Sequence, residues 1–136
     1  EQNLDFSFSG LKSSALRMLE TLSVDERVTR KADLCASYQE AIVDVLVEKL
    51  VKASHLTQLK NWTITGGVSA NTRLRARAVQ AAQEAGALLA LPALRYCTDN
   101  AAMIGMAGLY KFKAGLASAQ DLAPSASSSV SDWQEK

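Results

Sequence analysis

Residues 62–71 read Trp-Thr-Ile-Thr-Gly-Gly-Val-Ser-Ala-Asn, and this stretch decides the local organisation of the chain. The aromatic and β-branched run 62–65 is typical of a strand. Gly66 and Gly67 then allow the backbone to turn, and the apolar spacing beyond them predicts a helix over 71–84. A strand that leads through a tight turn into a helix is a repeating unit of α/β proteins. The stretch therefore predicts the α/β class.

Helical and strand patterns also alternate on both sides of this stretch. Periodicity predicts, in chain order, a short strand over 5–9, helices over 11–22 and 32–54, a buried strand over 87–91, and a last helix from Thr98 or Asp99 to Lys113. The helix over 32–54 is the clearest, and its apolar stripe comprises Tyr38, Ile42, Val45, Leu46 and Leu50. Helices between successive strands imply parallel pairing, so we expect a helix-rich domain with a small, mainly parallel sheet.

So few strands make a thin sheet, which leaves edges and apolar faces uncovered. We therefore expect a partner lobe outside this chain, and the exposed edges make self-association of the fragment a second expectation. The chain begins at Glu1 without an initiator methionine, which leads us to expect a fragment or a processed product. Residues 1–115 form the expected lobe, and residues 116–136, rich in serine and alanine, are predicted to be a flexible tail.

Composition and charge exclude few classes of function. With 136 residues and a hydrophobic fraction of 48%, the chain suffices for one domain with a core. No run reaches the roughly 18 consecutive apolar residues of a membrane helix. Cys35 and Cys97 form no CxxC pair, so we expect a reduced, cytoplasmic protein in which Cys35 fills the core.

The formal charge of +1 neither demands nor excludes a nucleic-acid partner. Any basic surface must be local, because acidic and basic residues nearly balance over the whole chain. Its candidates are Arg73, Arg75, Arg77, Arg95, Lys111 and Lys113. An ordinary solvated helix face explains the same residues equally well.

The first candidate site is the glycine turn, which comprises residues 65–71. Glycines let backbone N–H groups approach a phosphate closely, and the amino terminus of the following helix supplies partial positive charge. Gly66 and Gly67 are thus candidates for nucleotide binding, and Asn71 for a hydrogen bond to the nucleotide or its ribose. A plain tight turn in which Ser69 or Asn71 caps the helix explains the same residues. The spacing alone does not choose between these interpretations.

The second candidate site is Cys97-Thr98-Asp99-Asn100, at a strand-to-helix junction. An aspartate there projects from the carboxyl edge of a parallel sheet, where ligands of open α/β folds collect. Asp99 is therefore a candidate ligand for a metal ion or a magnesium-bound nucleotide, with a helix N-cap as the alternative. Cys97 has no second cysteine or histidine nearby to complete a metal site. The single histidine, His55, fits a structural role at a helix end.

Three segments together resemble one protein family. They are Asp5-Phe6-Ser7-Phe8-Ser9-Gly10-Leu11-Lys12, then Gly66-Gly67-Val68-Ser69-Ala70-Asn71 followed by Leu74-Arg75, and Cys97-Thr98-Asp99-Asn100-Ala101-Ala102-Met103-Ile104. In this order and spacing they are similar to the carboxy-terminal half of the tRNA adenosine threonylcarbamoyltransferase family, formerly called glycoprotease or O-sialoglycoprotein endopeptidase. The likeness runs from about Leu4 to Gly115.

The resemblance implies part of an actin-like ATPase lobe, of the ribonuclease H-like type, in a fold whose two lobes enclose a nucleotide. It further implies transfer of a threonylcarbamoyl group from threonylcarbamoyl-AMP to the exocyclic amine of the adenosine beside the tRNA anticodon, with release of AMP. The turn at Gly66 and Gly67 would cradle this adenylate or an ATP-like nucleotide, and Asn71 would contact it. Asp99 would be a ligand of an iron or zinc ion that polarises the acyl or carbamoyl oxygen. The implied partners are tRNA, a paralogous scaffold subunit and a small P-loop ATPase.

One departure from the family pattern matters. The family's other metal ligands are two histidines one helical turn apart in the amino-terminal lobe, and this chain has a single histidine. One aspartate does not hold a transition metal in a defined geometry. We therefore expect the isolated chain neither to bind metal tightly nor to transfer the threonylcarbamoyl group, and we predict no catalytic residue within it.

Other classes of function remain as alternatives. The same fold also serves non-catalytic assembly modules, and it serves sugar or carboxylate kinases. The historical label of the family is a metallo-endopeptidase. That last alternative lacks support from the residues, because the sequence has neither an HExxH motif nor an activated nucleophile.

Overall fold

The computed structural model describes residues 3–119 and Ala123, and helices dominate these residues. In chain order the elements are α1 (Phe8–Glu20), α2 (Val24–Thr29), α3 (Lys31–Thr57), β1 (Asn61–Thr63), a 3₁₀ turn (Gly67–Ala70), α4 (Thr72–Ala85), β2 (Leu88–Ala90), a second 3₁₀ turn (Leu94–Tyr96) and α5 (Ala101–Lys113). The chain divides between Cys97 and Thr98 into two compact units. None of the described helices is both long and apolar enough to cross a membrane.

The sheet of the first unit consists of β1 and β2, which pair in parallel. In its register Trp62 lies opposite Leu89, and the ladder continues beyond the strands, because the N–H of Ile64 donates to the carbonyl of Ala90 at 3.4 Å. The strand predicted over 87–91 is confirmed at Leu88–Ala90, but its predicted burial is wrong, because Leu88 and Ala90 are exposed. The strand predicted over 62–65 begins one residue earlier and ends at Thr63. The expectation of a helix-rich domain with a small parallel sheet is therefore confirmed.

The short strand predicted over 5–9 is wrong. Helix α1 already begins at Phe8, and the described residues before it have no regular secondary structure. The rings of Phe6 and Phe8 stack at 5.5 Å, and the ammonium group of Lys49 lies 5.5 Å from the centre of the Phe6 ring. Lys49 also donates to the carbonyls of Asn3 and Asp5. A strand needs a neighbour to pair with, and α3 holds this segment without offering one.

The core of the first unit lies between α3 and α4. Its centre is formed by Val43, Val47 and Leu74, which are 2%, 6% and 3% exposed. Four half-buried side chains pack around this centre, namely Leu46, Val51, Ile64 and Ala81. The stripe predicted for the long helix is only half-buried, so the prediction missed its buried centre. The long helix carries apolar residues on most of its inner half, and periodicity alone does not say which of them α4 covers.

Helix ends follow the expected local chemistry in most places. Gly86 has φ of +60° just after α4, and the N–H of Ala87 reaches back to the carbonyl of Ala82 at 2.8 Å, as in a Schellman motif. The linker after α1 contains the short helix α2, which Ser23 and Glu26 open with a reciprocal capping box. The hydrogen bonds from Ser23 hold the pKa of the Glu26 carboxyl below its ordinary value.

Two pairs of charged residues connect the same two helices at the surface. Arg73 binds Glu40 through two hydrogen bonds of 2.6 and 2.7 Å, and Arg77 lies 3.0 Å from Asp44. Arg77 is also 3.6 Å from Glu40. The hydrogen bond from Arg73 lowers the pKa of the Glu40 carboxyl, and the positive charges of both arginines act in the same direction. Two of the three α4 arginines that were candidates for a basic surface therefore pair with carboxylates within the fold.

Two further expectations concerned Cys35 and the carboxy-terminal tail. Cys35 is exposed on α3, so its prediction as core filler is wrong. This cysteine lies N-terminal to the part of α3 that packs against α4. The tail predicted over 116–136 lies outside the described residues except for 116–119 and Ala123, so it stays a prediction.

Replacing Leu74 with alanine tests the core between α3 and α4. We expect Leu74→Ala to reduce the free energy of unfolding by about 2–5 kcal/mol, because the cavity left behind has little room to collapse. Leu59, which is 64% exposed, is the control: Leu59→Ala should reduce the free energy of unfolding by less than about 0.5 kcal/mol. Urea denaturation of the purified protein measures both. Equal effects at the two positions would contradict the assigned core.

The pairing of Glu40 predicts a dependence of stability on pH. The folded state lowers the pKa of Glu40 from 4.5, so its carboxylate stabilises the fold above that value and the contribution is lost as pH falls through the lower, folded value. We expect Glu40→Gln to lower the melting temperature slightly at pH 7, with a difference from wild type that shrinks below pH 4.5. Thermal melts between pH 3 and 7 measure it, with exposed Glu20→Gln as the control. A constant difference would argue against the ion pair.

Candidate functional site

The glycine turn begins with a backbone conformation that only glycine adopts easily. Gly66 has φ of +88° and ψ of 173°, a region that is strained for any residue with a Cβ. The N–H of Ser69 donates to the carbonyl of Gly66 at 2.9 Å, and the N–H of Asn71 donates to that of Val68 at 3.0 Å. These two bonds close the 3₁₀ turn, which delivers the chain directly into α4.

Gly67 has a different reason to be glycine. It carries no positive φ, so the backbone would accept a side chain there. A Cβ added at Gly67 would meet no described atom within 4 Å, and the same holds at Gly66. The surface beside the turn is therefore open to a group that approaches the main chain. This is the arrangement expected where a phosphate or ribose is to lie against backbone N–H groups at the amino terminus of a helix.

Asn71 caps α4 with its side chain. Its Oδ1 accepts from the N–H of Leu74 at 2.9 Å, and its Nδ2 donates to Oε1 of Gln39 on α3 at 2.9 Å. The capping interpretation is thus confirmed for Asn71, whereas Ser69 is not the cap. An amide nitrogen has two hydrogens, so one donor of Asn71 stays available for a ligand. The cap and the contact with Gln39 fix the direction in which that donor points.

A cavity of about 760 Å³ within the first unit opens beside the turn. Thr65, Ser69 and Asn71 line it from the turn, and Lys12, Tyr38 and Gln39 line it from α1 and α3. The hydroxyl of Ser69, a residue only 1% exposed, has no hydrogen-bond partner among the described residues. A polar group left unsatisfied in this way is costly unless something else provides the bond. The cavity has the size of a small-molecule site.

Arg75 lies one turn into α4 and does not face solvent as a surface cation would. Its Nε–H donates to the carbonyl of Ser69 at 2.6 Å, and Nη2 donates to the carbonyl of Pro92 at 2.6 Å. Nη2 also lies 3.3 Å from Sγ of Cys97, which is 2% exposed. The buried thiol of Cys97 packs against this guanidinium, and no metal site includes it within the described part of the chain. The candidate basic surface on α4 therefore loses its third arginine as well.

Asp99 belongs to the second unit. Helix α5 begins two residues later than Asp99, at Ala101, and its N-cap is Asn100, whose Oδ1 accepts from the N–H of Met103 at 3.1 Å. The capping interpretation of Asp99 is therefore wrong. Its exposed carboxylate makes no hydrogen bond or ion pair with any residue of the described part of the chain. Both oxygens are thus available to a ligand.

The donors of this chain do not suffice for a metal site. Within residues 3–119 and Ala123, no group of three or more histidine, cysteine, aspartate or glutamate side chains is arranged to hold an ion. Asp99 offers one carboxylate, and His55 lies exposed in the last turn of α3, where its imidazole fits the structural role predicted for it. The metal-ligand role of Asp99 stays a prediction that requires further ligands from outside these residues.

Sequence reasoning missed several contacts around the turn. Gln39 gave no signal, because its partner is 32 positions away and the amide is common on helix surfaces. Glu40 and Asp44 are one turn apart on α3, as Arg73 and Arg77 are on α4. Those two matching spacings could have predicted that the helices are neighbours.

Comparison with known proteins shows similarity to one family. A family model described as tRNA N6-adenosine threonylcarbamoyltransferase matches residues 1–106. A protein of that name from Bdellovibrio bacteriovorus is 52% identical over 134 residues, which cover 98% of this chain and 39% of the relative. One from Anaeromyxobacter dehalogenans is 48% identical over 121 residues, covering 88% of the chain and 36% of the relative. One from Polaromonas naphthalenivorans is 48% identical over 114 residues, covering 84% and 32%.

The chain therefore spans between about a third and two fifths of the length of these curated relatives. The match nevertheless includes the glycine turn and Asp99, and it extends over most of the chain. On this evidence the chain belongs to the tRNA N6-adenosine threonylcarbamoyltransferase family, whose fold is actin-like.

Proposed function

We propose that the chain forms the nucleotide-binding part of an enzyme that transfers a threonylcarbamoyl group from threonylcarbamoyl-AMP to the exocyclic amine of the adenosine beside the tRNA anticodon. The relatives' names support the reaction class. The observation that carries the proposal is the open surface at Gly67, next to the first turn of α4 and to a fixed amide donor at Asn71. Nucleotide binding is the chemistry that uses all three features.

In this proposal the turn binds the phosphoryl end of the adenylate. Backbone N–H groups at the start of a helix stabilise negative charge, and the 14-residue helix α4 adds its dipole. The absence of a side chain at Gly67 lets the phosphate approach these groups. AMP is the leaving group of the transfer, so stabilising its phosphate also favours the departure of AMP as negative charge develops on it.

Asn71 and Gln39 would orient the nucleoside end. Because Gln39 accepts one hydrogen of the Asn71 amide and the helix end occupies its oxygen, the remaining N–H is held in one direction. A fixed donor contributes more to binding than a mobile one, because less side-chain freedom is lost when the ligand binds. Tyr38 and Lys12, which line the same cavity, provide an aromatic ring and a positive charge at its wall.

We further propose Asp99 as one ligand of an iron or zinc ion, with the other ligands supplied by a part of the longer protein. The carboxylate of Asp99 is exposed and has no hydrogen-bond or ion-pair partner among the described residues, which supports a ligand role. The partners proposed are tRNA, a paralogous scaffold subunit and a small P-loop ATPase, and the thin sheet supports self-association of the fragment. Two unpaired thiols, Cys35 and Cys97, support a cytoplasmic location.

Replacing Gly67 with alanine tests whether the turn binds the nucleotide, because the change should weaken nucleotide binding without destabilising the fold. We expect Gly67→Ala in the full-length protein to change the free energy of unfolding by less than about 1 kcal/mol, because its Cβ meets nothing and its φ is permitted. Affinity for AMP should fall at least tenfold, because the methyl group occupies the space left for the phosphate. Titration calorimetry with AMP and urea denaturation measure the two effects.

Two glycine variants serve as controls for that experiment. Gly66→Ala should destabilise the protein by about 1 kcal/mol or more, because φ of +88° is strained for alanine. Gly105→Ala also places its Cβ in open space, but on α5, and should leave AMP affinity unchanged. Unaltered affinity in Gly67→Ala would remove the turn from the nucleotide site.

The reaction itself is tested with full-length protein, purified threonylcarbamoyl-AMP and unmodified tRNA. We expect modified adenosine to form, and Asp99→Asn to reduce the rate at least a hundredfold with unchanged folding, because the amide is a poorer metal ligand than a carboxylate. Asn71→Asp keeps the helix cap but replaces the donor with negative charge, so the KM for the adenylate should rise at least tenfold. Mass spectrometry of nucleosides from digested tRNA gives the rates. Wild-type protein that modifies no tRNA would refute the proposed reaction.

A further inference from the structure

The guanidinium of Arg75 joins the segments that follow the two strands. From the first turn of α4 it reaches the carbonyl of Ser69, in the turn after β1, and that of Pro92, in the segment after β2, both at 2.6 Å. The same group lies 3.3 Å from Sγ of Cys97, the last residue of the first unit. A single side chain thus holds both segments that lead out of the carboxyl edge of the sheet.

Arg75 differs in this respect from the arginines on either side of it. Arg73 and Arg77 bind carboxylates on α3 at the surface. Arg75 is part-buried, forms no ion pair with any described carboxylate, and uses its planar fork on two main-chain oxygens. Charge-assisted hydrogen bonds of this length are strong, and the rigid fork fixes the distance between the two acceptors. An arginine that only stabilised the fold would not need to bind one carbonyl in each segment. An arginine that aligns the two segments does need both bonds.

We propose that Arg75 is a positioning residue that locks the glycine turn to the segment 92–97. Locked in this way, the turn keeps the shape that receives the adenylate, and the segment that leads to Asp99 keeps a fixed starting point. This inference rests on the proposed function where it concerns the adenylate. The coupling of the two segments by Arg75 does not depend on which reaction the protein catalyses.

Hydrogen exchange tests the coupling without any assay of activity. The N–H of Ser69 is bonded to the carbonyl of Gly66 at 2.9 Å and that of Cys97 to Leu94 at 3.1 Å, so one amide reports on each segment. In full-length Arg75→Ala we expect exchange at both amides to rise at least tenfold, while the α3 amides of the core around Val43 and Val47 keep their rates. Arg75→Lys retains the charge without the fork and should give a smaller rise at both.

Arg73→Ala is the matched control, because it removes a neighbouring arginine from the surface of the same helix and should leave both amides unchanged. Faster exchange at one amide alone, or an equal rise in the control, would overturn the coupling. A rise that is uniform over the protein, core included, would assign Arg75 to general stability and overturn it as well. Arg75→Lys decides the matter if Arg75→Ala does not fold.

Steady-state kinetics then test the consequence for the adenylate. We expect the KM for threonylcarbamoyl-AMP to rise about tenfold in Arg75→Lys, because a loosened turn binds the ligand less well. A merely structural role lowers the folded fraction, and with it the apparent kcat, at constant KM. An unchanged KM would therefore refute the positioning role. If the wild-type protein modifies no tRNA, the proposed function fails, and exchange at Ser69 and Cys97 still decides whether Arg75 couples the segments.

Discussion

The packing of α4 against α3 is the contact on which the other features depend. Leu74 packs with Val43 and Val47 in the core, and this contact determines which face of α4 points toward α3. Once that rotation is set, Asn71 faces Gln39 and Arg73 faces Glu40, because these residues lie at the start of the same helix. Burial of apolar surface supplies most of the free energy, and the exposed ion pairs add direction more than stability.

The amino-terminal turn of α4 concentrates three tasks in five residues, 71–75. Asn71 caps the helix, and Arg73 binds Glu40 on α3. Arg75 connects the segments that follow the two strands. Each task uses a different direction around the helix, so the side chains do not compete. The cap at Asn71 and the hydrogen bond from Arg75 to Ser69 thus hold the glycine turn, while the surface at Gly67 stays open. An open surface on a rigid frame is what a preorganised ligand site requires.

The structure also has the open edges that a thin sheet implies. The two-stranded sheet leaves Leu88, a large apolar side chain, 76% exposed. Helix α5 carries apolar residues around most of its circumference, a pattern typical of a helix that is covered on several sides. This agrees with the fraction of the relatives' length that the chain spans. The physical argument for a further lobe and the comparison of lengths are independent of each other.

The sequence by itself determined the local elements, because capping residues, glycines and periodicity act over a few positions. The strand at Trp62, the stop at Gly86 and the helix that begins after Asn71 were all predictable. It also determined the family, through three motifs in a fixed order. The strand predicted over 5–9 failed because alternation shows which side chains share a face and says nothing about whether a neighbouring strand exists.

Only the tertiary structure decided what the charged and polar side chains of α4 do. Arg73, Arg75 and Arg77 are alike in sequence, yet two form ion pairs and one binds main-chain oxygens. Likewise Asn100 rather than Asp99 caps α5, although both residue types are good caps. The physical reason is that a hydrogen bond depends on distances of about 3 Å between atoms far apart in the chain, and such distances follow from packing.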